Sequence, residues 1–317
     1  MFGQNPYSNN ISVLDELKGF IYKKDVLSRL ILINISVFLL INVVALFQFL
    51  MGLDRDFILS TGVNRITYYL SLPSDLSTLL MRPWGIFTYM FVQENILHLV
   101  FNLILLYVGG RIFNQFVGKN KLLSTYIISG IAGALLYILT FNIFPAFGQI
   151  VNVSFAIGAS ASVLGIFIAA ATYVPNLAVN VVFLGNVKLK YIAIVFLAID
   201  LINIRSGNAG GHIAHIGGAL YGFTFVNQLK KNNDISLYFT GFLKTIKSFF
   251  TQKKKSTNPF KSVHKNTNRR PVSDDEYLKN KNARQAEIDK ILDKIKKSGY
   301  ESLSSSEKQK LFQASKD

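Results

Sequence analysis

The sequence predicts an all-α membrane protein: six apolar helices crossing a bilayer, followed by a small polar helical tail on the cytoplasmic side. Three observations predict it. Half of the 317 residues are hydrophobic and only 16% are charged, where soluble chains carry about 25%; the mean hydropathy is +0.32. The apolar residues come in blocks long enough to cross a hydrocarbon core, which takes about 20 residues. The net charge of +16 is also unevenly placed. Residues 1–229 hold 13 Lys and Arg against 8 Asp and Glu, whereas residues 230–317 hold 21 against 10. Such a composition argues against a soluble enzyme and against a nucleic-acid partner. With no cysteine, disulfides, thiolate nucleophiles and thiolate metal sites are excluded.

Residues 1–29 form a polar segment with Lys18, Lys23, Lys24 and Arg29. From Leu30 to Met51 no charge occurs. That run is too long for a signal-peptide core, and no small-residue cleavage site follows, so it reads as a retained span. Residues 52–92 mix charges with short apolar pieces, and Pro73 and Pro83 break any long helix. This stretch reads as a large loop with short helices. Five further apolar segments follow at about 95–117, 122–144, 158–174, 189–204 and 211–229. Glycines recur in them, as expected where helices meet closely in lipid. Residues 175–190 read as an amphipathic excursion or the start of the fifth helix. Six spans put both termini on one side. Arg111, Lys119, Lys121, Lys188 and Lys190 join the basic ends on that side, while 142–157 carry no charge, so both termini are cytoplasmic.

The membrane domain is therefore expected over 30–230. Residues 231–273 read as an amphipathic interfacial segment and linker. Apolar residues from Ile235 to Phe250 fall at three- and four-residue steps among lysines, which suits a helix lying against anionic headgroups. Residues 274–297 look helical, Ser298-Gly299 breaks them, and Ser304 with Glu307 fits a capping box. Residues 274–317 are thus expected to be a helical hairpin.

Polar side chains inside spans are costly and concentrate at functional sites. Three of the four histidines lie in apolar segments: His98, His212 and His215. His98 and Asn102, four apart, share a helix face. Ser160 sits in Gly158-Ala-Ser-Ala-Ser162 at the start of a span. Taken alone, that serine reads as a small packing residue. His215 is followed by Gly217, Gly218 and Gly222, which let its helix approach another closely. A serine needs a base to act as a nucleophile, and His215 can serve. His98, Asn102 and the amides at Ala159 and Ser160 can donate to an oxyanion.

These residues resemble the rhomboid family of intramembrane serine proteases. The family pattern has HxxxN in its second helix, GxSG opening its fourth and AHxxG in its sixth. Here they read His98-Leu-Val-Phe-Asn102, Gly158-Ala-Ser160-Ala161 and Ala214-His215-Ile-Gly-Gly218. The resemblance covers about residues 80–225. It implies a six-helix rhomboid bundle, a Ser160–His215 dyad without a carboxylate, and oxyanion support from His98, Asn102 and Ala159. It also implies close packing at Gly158, Ala161, Gly218 and Gly222, membrane-protein substrates, and no metal or cofactor. A bacterial inner membrane is the expected location. The departures are Ala161 in place of glycine, Gln93 where many members have a histidine, and Leu164 where an aromatic often packs. The extra methyl of Ala161 is expected to widen the approach of the fourth and sixth helices.

The competing readings are a catalytically silent relative that binds client membrane proteins, a metal enzyme using His98, His212 and His215, and a transporter using Asp200. Asp200 reads as a residue near a span end beside Arg205, and His212 has no evident role.

Overall fold

The computed structural model describes residues 25–53, 55–181, 185–205, 207–241, 245 and 273–314. Residues 1–24, half of the interfacial segment at 235–250 and the linker through residue 272 lie outside the described residues. The chain divides into two units, 1–252 and 253–317.

In the first unit, helix α1 (Val26–Leu50) starts where Asp25 accepts the Ser28 amide at 2.7 Å. Short helices α2 (Arg55–Thr61), α3 (Arg65–Leu70), α4 (Leu76–Met81) and α5 (Gly85–Thr88) make up the following loop. Asn64 and Asp75 cap α3 and α4 by accepting the amides of Thr67 and Thr78. Helices α6 (Ile96–Phe113), α7 (Leu122–Ile143), α8 (Ser160–Tyr173), α9 (Leu189–Asn203) and α10 (Ala209–Lys230) complete the bundle. Helix α1, and the stretch from α6 through α7, are long and apolar enough to cross a membrane; α8 is apolar and shorter.

Helix α8 is the centre of the unit. Every residue from Ala161 to Ala171 is buried, against α6, α7 and α10. Apolar burial gives helices no net drive to associate in lipid, so close packing of small residues does the work. A Cβ at Gly218 or Gly222 of α10 would run into the carbonyl of Ala161 or Gly165 on α8, and one at Gly217 would come within 2.6 Å of the Ala132 carbonyl on α7. At the far end Lys230 donates to the Thr172 carbonyl at 2.8 Å, filling an acceptor that the end of α8 leaves open. Helices α1 and α9 instead expose apolar rows, among them Leu39, Leu40, Val43 and Phe47 on one and Ile194, Val195 and Ile202 on the other. Such faces suit a hydrocarbon solvent.

The fold is not purely α. Residues 175–190, expected as an excursion or helix start, contain antiparallel strands β3 (Ala178–Val181) and β4 (Gly185–Lys188). The alternating Ala-Val-Asn-Val pattern has the period of a strand. Strand β1 (Leu72–Pro73) pairs with β2 (Phe155–Ala156), tying the loop after α1 to the segment that leads into α8. Ser74 reinforces the tie by donating to the carbonyls of Val151 and Ser154.

In the second unit, α11 (Asp274–Ser298) starts at Ser273, whose hydroxyl accepts the Glu276 amide. Acidic residues fill its first turn and Lys296 and Lys297 its last, matching the helix dipole. Gly299 ends it at φ +75°, a conformation that favours glycine. Helix α12 (Ser305–Ala314) opens on a capping box: Glu307 accepts the Ser304 amide at 2.7 Å and Ser304 accepts the Glu307 amide at 3.3 Å. The Ser304 amide and then Lys294 hold the Glu307 carboxyl down to about 2.

Candidate active site

Ser160 is the first residue of α8, preceded by Ala159 as N-cap and by Gly158 at φ +131°. The amides of this first turn have no partner within the helix. Only a glycine fits at 158. A Cβ there would lie 2.8 Å from Cε1 and 3.0 Å from Nε2 of His98, and 3.3 Å from the Ser160 hydroxyl. The missing side chain thus brings the His98 ring and the Ser160 hydroxyl over one backbone position. The Gly158 amide donates to the Tyr89 carbonyl, and the buried Tyr89 hydroxyl donates to the Gly130 carbonyl at 2.6 Å, which fixes the loop.

His98 is set by the start of α6, where Asn95 accepts its amide at 2.9 Å. Its Nδ1 accepts the Glu94 amide at 3.4 Å. A neutral imidazole whose Nδ1 accepts must carry its proton on Nε2, the atom that faces Gly158. Asn102 follows one turn on and is buried. It does not stand free: its amide donates to Gln93 at 2.7 Å, Gln93 donates to Asn34 at 3.1 Å, and Asn34 donates to the Tyr126 hydroxyl at 3.2 Å. The Tyr126 hydroxyl donates to the Met90 carbonyl at 2.9 Å. This buried chain links α1, α6 and α7, and it gives Gln93 the task of orienting Asn102.

His215 lies in the first turns of α10, one turn before Gly218. Gly218 abuts the backbone of Ala161, the residue after Ser160. Among the described residues no hydrogen bond joins Ser160 to His215, as is common before substrate binds.

Two expectations need correction. First, His215 does have a third residue to orient it. Asp200 on α9 is buried, and its Oδ1 lies 2.8 Å from His215 Nδ1 and 2.8 Å from His212 Nδ1. A carboxylate oxygen only accepts, so both Nδ1 atoms donate. The lone pair of His215 is thereby on Nε2, the tautomer a base needs, opposite to that of His98. Asp200, expected only as a residue beside Arg205, is hydrogen-bonded to both histidines, and His212 has a partner. The signal was an acid inside an apolar segment, which costs about 2.5–3.5 kcal/mol at a helix centre. Second, Ala161 does not widen the contact of α8 with α10. Its methyl faces α7, where a Cβ on Gly133 would lie 2.8 Å from it, while α10 meets the Ala161 backbone. Gly133 makes the room for that methyl.

Asp200, His212 and His215 each offer one ligand atom, all within 4.8 Å of one another. They are the group in the described residues with the donors for a metal ion.

Residues 81–231 match the family model described as the Rhomboid domain, and residues 273–317 match a family of unknown function, DUF6576. The chain is similar to the Rhomboid protease AarA of Providencia stuartii, at 32% identity over 172 residues, which cover 49% of this chain and 56% of that protein. It thus spans a little over half the length of that relative. Taken with a serine and histidine carried on adjoining glycine-packed helices, these matches support a rhomboid family protein, with residues 81–231 as the part that matches the Rhomboid domain, and such a domain implies an integral membrane protein.

Proposed function

We propose that the protein is an intramembrane serine endopeptidase that cuts membrane-protein substrates, with Ser160 as nucleophile, His215 as base and Asp200 as the carboxylate that orients His215. The observation that carries this reading is the contact of Gly218 with the Ala161 backbone. It supports the reading because Ser160 precedes Ala161 directly and His215 precedes Gly218 by three residues. His215 Nε2 takes the serine proton as the hydroxyl attacks a peptide carbonyl, then passes it to the leaving amine. His98 Nε2–H, the amides at the start of α8 and Asn102 are donors for the oxyanion. The Gln93 bond occupies one Asn102 proton and leaves the second for this role. The Ala161 methyl, the feature that suggested a silent adaptor, lies against Gly133 of α7, which supports the active reading.

The test is cleavage of a reporter transmembrane substrate by the purified protein. Removing one oxyanion donor costs about 10²–10³ in rate in a soluble serine protease. Asn102→Ala is expected to lose up to that much kcat and keep some activity, because His98 and the amides remain. Wild-type turnover in Asn102→Ala would remove Asn102 from the mechanism.

This reading includes six spans with both ends in the cytoplasm, as in a bacterial inner membrane. The basic residues at 111–121 and 188–190 and the uncharged 142–157 segment support it. Reporter fusions at the N-terminus and after Lys231 are expected to read cytoplasmic. An external signal from either end would overturn the topology.

A further inference from the structure

We propose that Asp200, His212 and His215 form a binding site for Zn²⁺ or a similar divalent transition metal, and that the bound ion switches the enzyme off. His212 and His215 are three residues apart on the first turns of α10, so their rings project from one face. Asp200 reaches the same point from α9, with one oxygen 2.8 Å from both Nδ1 atoms. The two histidine side chains are 19% and 23% exposed and the Asp200 side chain 7%. The carboxylate is therefore held inside, and the imidazoles are partly open to their surroundings.

Two imidazoles and one carboxylate are the ligand set of open zinc sites, with water as fourth ligand. Magnesium and calcium prefer all-oxygen shells, and the chain has no cysteine to compete for the metal. With bonds of about 2.0–2.1 Å, tetrahedral ligands stand about 3.3 Å apart. Each nitrogen–oxygen separation has then to open by only about half an ångström.

The inhibitory step follows from the tautomers. Without metal, the Nδ1 protons of both histidines point at Asp200 and the His215 lone pair is on Nε2. A metal bound at Nδ1 needs the lone pair of that nitrogen, so the single proton of the neutral ring moves from Nδ1 to Nε2. No proton is gained or lost and the groups shift by only about half an ångström, yet His215 can no longer accept the serine proton. The ion binds where Asp200 orients the base, and so competes with the active tautomer.

The inhibitory half rests on the protease reading, so binding and cleavage are measured separately. Full-length protein without a histidine tag, in detergent micelles, is titrated with ZnCl₂ by calorimetry, and cleavage of the reporter substrate is followed over the same zinc range. One equivalent is expected to bind the wild type and suppress cleavage. His212→Ala and His212→Gln are expected to weaken zinc binding at least tenfold and to raise the half-inhibiting concentration in step. Metal-free cleavage by these variants should stay within a few-fold of wild type. The glutamine variant retains an amide donor for Asp200, so it guards against a loss caused by misfolding. Equal zinc affinity in wild type and both variants, or no binding to the wild type at millimolar zinc, would overturn the site. Zinc bound through His212 with cleavage undiminished would overturn the inhibition. A wild type that binds zinc through His212 but cleaves nothing under any condition upholds the site and defeats the protease reading instead.

Discussion

Ser160→Ala and His215→Ala are each expected to abolish cleavage, a loss on the order of 10⁴ or more, as when one member of a nucleophile–base pair is removed from a soluble serine protease. The double variant should be no worse than either single one. Without its base the serine hydroxyl remains protonated, and without the serine the base has nothing to activate, so the pair acts as a unit. Stability should change little by comparison. Ser160 opens α8 beside Gly158, and its hydroxyl supports no other group among the described hydrogen bonds. The closely packed contacts of the crossing are made by the Ala161 backbone and Gly218, which neither substitution touches. A helix content equal to wild type, with cleavage gone, is the expected pair of readings. Cleavage by Ser160→Ala at the wild-type rate would defeat the mechanism.

Asp200→Asn is expected to give the second largest effect, a loss of about 10²–10⁴ in kcat with KM little changed. The substitution preserves shape but adds an amide that can donate. If that amide points at His215 Nδ1, the ring proton moves to Nε2 and the base is lost. A carboxylate also stabilises the imidazolium formed during attack, and a neutral amide does not. A residue with a structural role only would lower stability and leave kcat per folded molecule unchanged. Asp200→Asn turning over at the wild-type rate would leave His215 oriented by helix packing alone. His212→Gln supplies the contrast, because it removes the other imidazole from Asp200 and leaves the His215 bond in place.

The parts of the site carried by local signals were legible in the sequence. His98 and Asn102 share a helix face because they are four apart, and the small residues around Ser160 and His215 marked two helices that meet closely. The Ser304 and Glu307 spacing likewise announced the capping box of α12. Asp200 was harder. It lies 12 and 15 residues from its partners, on another helix, and no period connects residues across a helix crossing. Its presence in an apolar segment was the available sign, and the nearby Arg205 offered a simpler explanation for the charge. The role of Gln93 was hidden for a similar reason. Its two partners, Asn34 and Asn102, flank it from different helices, and each alone reads as an isolated polar residue in an apolar run. Ala161 illustrates the opposite case. Its size was visible in the sequence, but only the direction of its methyl, toward Gly133, decides which helix contact feels it. The two short ladders were missed because two to four residues give too little alternation to outweigh the surrounding helical pattern.

Activation of Ser160 by His215 is read out by labelling the purified protein with a fluorophosphonate, which reacts with activated serines. One labelled residue, Ser160, is expected in the wild type. Labelling should be absent in Ser160→Ala and reduced to near background in His215→Ala. Equal labelling of wild type and Ser160→Ala, or a folded wild type that neither labels nor cleaves, would contradict it.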